Sequence, residues 1–156
     1  MMTMMMMLMT MMMMMLMMII NINNKNIIYK MNMNADRHFL HEHPDGAASW
    51  GVACIRRILE STNVVRTTSD QCQYGQQTPD GDPIRKRTGW ITNSVGIASQ
   101  LQRRCKGLDG SCSRHRGGVH RHVSGASAAR AAFYPPGLCR AILRGCQRQL
   151  YEDGVL

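Results

Sequence analysis

Arg37-His38-Phe39-Leu40-His41-Glu42-His43-Pro44 opens the part of the chain that can build a packed body. Phe39 and Leu40 lead into polar groups, and the run ends at Pro44, which has no N–H to give to a central ladder. It therefore predicts a strand with its polar side chains near the C-terminal end. On such a strand His41 and His43 project to one face and Glu42 to the other. Downstream of the small, polar turn Asp45 to Ser49, the residues Trp50, Val52, Cys54, Ile55, Ile58 and Leu59 recur near helical spacing and predict an amphipathic helix through Glu60. Val64 to Thr68 is short and β-branched and predicts a second strand, which runs into the polar turn Asp70-Gln71-Cys72-Gln73-Tyr74-Gly75.

Further along, Pro79-Asp80-Gly81-Asp82-Pro83 marks a tight turn, and Arg87 to Asn93 predicts a returning strand, so the two form a hairpin or a lid. Asn93-Ser94 supplies capping side chains to a short helix carrying Ile97, Leu101 and Arg104, and Gly107 to Gly125 reads as loop. Pro136 suits the first turn of a closing helix with Leu138, Cys139, Ile142 and Leu143. Strand, helix, strand, hairpin and helix in that order predict part of an α/β layer fold.

Upstream the composition changes abruptly. All 16 methionines fall at or before Met33, and among residues 1 to 20 only Thr3 and Thr10 are not apolar. Each interruption of the Met run is one base from the Met codon, which points to a translated simple repeat. Asn21 to Asn34 draws on a few residue types encoded by A/T-rich codons, and residues 1–36 as a whole read as a low-complexity extension with helical propensity. The predicted organisation is this extension, an α/β module over 37–150, and a tail over 151–156. About 20 apolar residues also suffice to span a hydrocarbon core, so a membrane anchor through residues 1–20 is the rival reading. No basic segment precedes the run and no small-residue cleavage site follows it, which argues against a secretory signal.

A formal charge of +9 comes from 19 Lys and Arg against 10 acids, and the excess lies after Arg85. Polyanions are the partners that such a balance favours, and Arg85-Lys86-Arg87 with Arg103-Arg104 are the local basic clusters available to phosphates. Aromatics make up only 5% of the chain, which leaves few platforms for base stacking. The six cysteines are irregularly spaced, and together with the absence of a secretory signal they predict reduced thiols and a cytoplasmic or nuclear location. Cys54 and Cys139 fall on apolar helix faces and are expected to pack as small hydrophobes.

Several short blocks stand in order along the chain: Phe39 to Pro44, Ser49-Trp50, Asp70 to Gly75, Lys86-Arg87-Thr88, Thr92-Asn93-Ser94, a Cys/His loop, and Tyr134-Pro135-Pro136-Gly137-Leu138-Cys139-Arg140-Ala141-Ile142. The set resembles a segment of copia-type retroelement polyproteins that lies just before the reverse transcriptase, over about Arg37 to Gly145. More distantly it resembles the later half of cytosine-5 DNA methyltransferases. That second resemblance implies an incomplete Rossmann-like, methyltransferase-like half-domain, with Glu42 at the place of the Glu that contacts the target cytosine. It also implies that Tyr74-Gly75 and Arg85-Lys86-Arg87 face DNA or support the catalytic loop.

Methyl transfer needs a thiolate nucleophile from a Pro-Cys loop ahead of the Glu strand, and a Gly-rich turn for the methyl donor. No Pro-Cys pair and no glycine precede Gly46. The expectation is a catalytically incomplete polyprotein fragment with a vestigial Glu42, no small-molecule substrate, and weak, nonspecific affinity for nucleic acid through Arg85, Lys86, Arg87, Arg103 and Arg104. The alternative is a small zinc-stabilised nucleic-acid-binding module. Its ligands would come from Cys105, Cys112, His115, His120 and His122, which offer sulfur and imidazole donors within 18 positions.

Overall fold

The computed structural model describes residues 25–114, 118–122 and 132–156. Its ordered elements are α1 (Lys25–Asn34), β1 (Leu40–Pro44), α2 (Ala53–Leu59), β2 (Val65–Asp70), β3 (Arg87–Thr92), α3 (Val95–Gln100) and α4 (Pro136–Glu152). Short 3-10 turns occupy Ala48–Gly51 and Gln71–Tyr74. The class is mixed α/β.

The three strands form one sheet in the order β1-β3-β2, with β3 antiparallel to both neighbours. The registers place Leu40 opposite Thr92 on one side of β3, and Val65 opposite Thr92 on the other. β1 and β2 therefore run in the same direction with α2 between them in the chain, but β3 lies between them in space. A Rossmann-like half would set parallel strands side by side, and the described sheet departs from that expectation. The reason lies in β3 itself: every residue from Thr88 to Thr92 is buried, so this strand needs cover on both faces and both edges and takes the centre.

Alternation along β3 divides the core in two. Trp90 points into a cluster with Leu40, Tyr74, Ile97, Leu101, Leu138, Ala141 and Ile142, under α3 and α4. Ile91 points the other way, into Tyr29, Phe39, Ile55, Ile58 and Val64, under α1 and α2. The result is a sheet covered on both faces by helices. Burying each large apolar side chain contributes roughly 1.5–3 kcal/mol, and Trp90, Ile58, Ile91, Leu101 and Leu138 are all within 1% of full burial.

Low complexity upstream does not exclude a packing role. Tyr29 on α1 is 2% exposed, stacks on Phe39 with ring centroids 4.7 Å apart, and shares a 2.9 Å hydrogen bond with His41 Nδ1. The Met run at 1–20 lies outside the described residues. Among the described residues, no helix is long and apolar enough to cross a membrane.

Two local devices fix the geometry of the α3/α4 layer. Ser94 caps α3 by accepting the Ile97 N–H at 3.0 Å, and Gln149 of α4 accepts both the Ser94 hydroxyl at 2.8 Å and the Gly96 N–H at 3.0 Å. Where the helices meet, Gly96 and Gly145 leave backbone against backbone. At the start of α4, Pro136 occupies the first turn, and Gly137 sits so close that an added Cβ would lie 2.1 Å from the Tyr74 carbonyl. The closing helix is thereby seated on the 71–74 turn.

Candidate metal centre and basic face

β2 ends at Asp70, the 3-10 turn follows, and Gly75 closes it at a φ of 97°, a left-handed conformation that glycine adopts without strain. This turn directs Cys72 inward, where it is fully buried. The loop after Cys105 reverses at Asp109-Gly110, both with positive φ. Ser111 and Val119 then bridge antiparallel, with the Cys112 N–H donating to the Gly118 carbonyl and the His120 N–H to the Gly110 carbonyl, each at 2.8 Å. Gly107 permits the reversal, since a Cβ there would stand 2.1 Å from the Ser111 carbonyl. The loop is tied to the body by the Arg121 N–H, which donates to the Pro83 carbonyl at 2.9 Å.

These two segments bring the ligand atoms of Cys72, Cys105, Cys112 and His120 within 4.8 Å of one another. Zinc bonded tetrahedrally to sulfur at about 2.3 Å and to imidazole nitrogen at about 2.1 Å holds two sulfurs roughly 3.8 Å apart and sulfur from nitrogen roughly 3.6 Å apart. The Cys105–Cys112 sulfur separation is 3.9 Å, and Cys105 Sγ lies 3.5 Å from His120 Nε2. Four soft or borderline donors this close together are a set that could hold a metal ion.

Outer groups complete the cluster. The Gln73 amide donates to Cys72 Sγ at 3.6 Å and to Cys112 Sγ at 3.7 Å, and the Ser113 N–H and hydroxyl donate to Cys105 Sγ at 3.4 and 3.5 Å. Such outer donors orient metal ligands and stabilise thiolate charge. Burial works against ionising Cys105, yet the donors from Ser113 and Gly107 pull its thiol down to about 6. At Cys72 burial dominates and pushes the thiol up to about 12.

Of the metal ligands expected from sequence, Cys105, Cys112 and His120 come together. His122 is exposed and stands outside the cluster, and His115 lies outside the described residues. The candidate ligand that sequence reasoning missed is Cys72, 33 positions before Cys105. Its signal was a cysteine in a Gly-closed polar turn, but local ligand spacing carries no information about a partner from another element.

Beside this cluster the two basic runs converge on one carboxylate. Asp70 is fully buried; its Oδ1 faces Arg87 Nε at 3.2 Å and Arg85 Nε at 3.7 Å, and its Oδ2 accepts Arg104 Nε at 3.1 Å and the Cys105 N–H at 2.8 Å. Burial alone would raise its pKa, but the Cys105 N–H and the Arg104 and Arg87 guanidiniums hold the carboxyl below its ordinary value. The three arginine side chains remain 34–46% exposed. Arg103 lies over the Tyr74 ring with its guanidinium carbon 5.4 Å from the centroid, and Lys86 Nζ is 3.9 Å from Glu42 Oε1. Four cations thus stand against the carboxylates of Asp70 and Glu42, with Arg103 beside them on the Tyr74 ring.

Glu42 occupies the Trp90 face of β1, opposite the His41/His43 face, as strand alternation requires. Its Oε1 is buried without a hydrogen-bond partner, beside Lys86. A groove of about 840 Å³ lies elsewhere, lined in part by Phe39, Leu40, Val65, Ile97, Cys146 and Leu150, and neither Glu42 nor any member of the Asp70 cluster borders it.

Compared with family models, with curated proteins and with solved structures, the chain matches none.

Proposed function

We propose that this chain is a zinc-clipped basic module that binds nucleic acid through phosphate contacts, without base specificity and without catalysis of its own. The observation that carries the proposal is the meeting of the ligand atoms of Cys72, Cys105, Cys112 and His120 within 4.8 Å of one another. Three thiolates and one imidazole with no open position form a structural rather than a catalytic zinc set, whereas magnesium and calcium select oxygen donors. The adjoining arginines supply the phosphate-binding half of the reading. They are charged at any physiological pH, half-open to solvent, and have a planar fork that matches phosphate oxygens.

The order of blocks from Phe39 to Ile142, which resembles that of copia-type polyproteins, supports a retroelement polyprotein as the source of the module. A methyltransferase-like kinship would rest on the β1–α2–β2 unit alone, with Glu42 as a vestige.

Protein purified without chelator is expected to carry one zinc per chain, and cobalt substitution to give the visible absorption of a tetrahedral thiolate site. Cys72→Ser should lose the metal, while His122→Ala should retain it in full. A metal-free wild-type chain that takes up no zinc would reject the proposal.

A further inference from the structure

We propose that the tip of the loop after Cys105 packs Leu108 and Val119 against the faces of unpaired bases, so that the module prefers single-stranded nucleic acid to a duplex. This inference rests on the nucleic-acid half of the reading above, independently of the metal, and adds which form of nucleic acid the basic surface takes.

Asp109 and Gly110 have φ of 49° and 81° and reverse the chain within a four-residue turn, where the Leu108 carbonyl accepts the Ser111 N–H at 2.8 Å and the Ser111 hydroxyl at 2.6 Å. Ser111 bridges Val119, and a Cβ on Gly110 would lie 3.9 Å from Val119 Cγ1. The reversal therefore presents Leu108 and Val119 at one end of the loop. Leu108 is 76% exposed and Val119 64%, and neither joins a core cluster. Backbone bonds and Gly110 make this turn, so polar side chains at 108 and 119 would serve it equally well. The aliphatic groups are not there for the fold.

Cations surround the tip. Between Arg103 and His122 the sequence carries six Lys and Arg, and Asp109 is the only acid. Arg85 Nη2 donates to the Cys105 carbonyl at 3.3 Å, which sets one arginine of the Asp70 cluster at the root of the loop, three residues before Leu108. Three residues of chain span at most about 11 Å. Phosphates held by Arg85, Arg104 and the exposed Lys106 thus keep neighbouring nucleotides within reach of the tip.

A duplex turns its phosphates outward and keeps its base faces stacked. An aliphatic wedge enters it only by unstacking a step, a cost that is offset by wrapping the bent duplex over a large protein surface. Two side chains on a short turn offer no such surface, whereas an unpaired base shows its apolar face at once. An anionic lipid surface is the other partner that suits cations beside aliphatic groups. Asp109, next to Leu108 in the turn, disfavours it, because inserting Leu108 would carry a carboxylate into anionic headgroups. The N–H donors on a base edge, by contrast, can pair with that carboxylate.

The test is fluorescence anisotropy of the full chain at several salt concentrations, on a labelled single-stranded 20-nucleotide oligothymidine and on a 20-base-pair duplex. At 0.1 M salt the single strand should bind about tenfold more tightly than the duplex. The double variant Leu108→Ser/Val119→Ser should lose roughly tenfold on the single strand, the scale expected when two aliphatic side chains lose partial burial. Its duplex affinity and its salt slope should stay unchanged, because no phosphate contact is removed. Leu108→Phe, which offers a ring for stacking, should tighten the single strand about threefold. Both positions are exposed, so circular dichroism should show the fold intact in each variant.

Unchanged single-strand affinity in the double variant, in a chain that binds the oligomer, overturns the base contact and leaves the phosphate reading standing. An equal loss on both nucleic acids, or wild-type affinity as high for the duplex as for the single strand, overturns it as well. A wild-type chain that binds neither overturns it together with the nucleic-acid reading. Sedimentation with phosphatidylserine vesicles that is lost in the double variant while oligomer binding persists assigns the tip to a lipid surface and also overturns the proposal.

Discussion

Asp70 and Cys105, 35 positions apart, are joined by a 2.8 Å hydrogen bond from the Cys105 N–H to the buried Asp70 carboxylate, whose other oxygen faces Arg87 and Arg85. Removing one member of a buried ion pair costs about 3–5 kcal/mol, and the figure falls where the partners can turn to solvent. Because the three arginines are 34–46% exposed, Asp70→Asn is expected to cost about 2–3 kcal/mol. The folded carboxyl ionises below the ordinary value of 3.8, so its stabilisation is fully present above that pH and is lost as the pH falls through the lower, folded value. Urea midpoints from pH 7 downward should show this acid limb in the wild type and a reduced one in Asp70→Asn. Identical midpoints at pH 7 would remove Asp70 from the account of stability.

The α3/α4 crossing predicts intolerance at a single hydrogen atom. A Cβ on Gly145 would stand 2.6 Å from the Ile97 Cα and 3.0 Å from the Gly96 carbonyl, both backbone atoms that cannot rotate away. Overpacking of this kind costs about 1–3 kcal/mol and works against the roughly 1 kcal/mol that alanine gains over glycine within a helix. Gly145→Ala should therefore lower the thermal midpoint, and Gly96→Ala, whose Cβ would meet the Gly145 carbonyl at 2.7 Å, should do the same. Gly51→Ala, with nothing within 4 Å, serves as the neutral reference. Midpoints for Gly145→Ala at or above the reference would disprove the close crossing.

Helix α1 is tested through Tyr29. Tyr29→Phe removes only the hydroxyl that meets His41 Nδ1 and should cost about 1 kcal/mol. Tyr29→Ala also vacates the space against Phe39, Ile55 and Ile58 and should cost about 3–5 kcal/mol. Chemical denaturation of the full chain distinguishes the two. A neutral Tyr29→Ala would show that α1 does not contribute to the packed body.

The element sequence from β1 to α4 was legible because its signals are local. Val64 to Thr68, the Ser94 cap, the turn at Pro79 to Pro83 and Pro136 at a helix start each act within a few residues. The pairing of β3 with β1, beside the hairpin-like pairing with β2, was not legible. Nothing in Arg87 to Asn93 alone says that it inserts between β1 and β2, because that choice depends on which faces and edges the other elements leave uncovered. The docking of α1, within an extension read as low-complexity with helical propensity, escaped notice for a related reason: a single tyrosine carries it.

By itself, the sequence determined the α/β character, the concentration of arginine after residue 85, and the presence of thiols and imidazoles within one glycine-rich loop. Composition and short-range spacing suffice for these, since each depends on residues that are neighbours in the chain. Only the tertiary structure decided that the fourth donor of the Cys/His cluster comes from Cys72 rather than from His122, and that two separate basic runs share one buried carboxylate. Both are meetings of distant segments, fixed by the β2/β3 register and by the turn after Asp70.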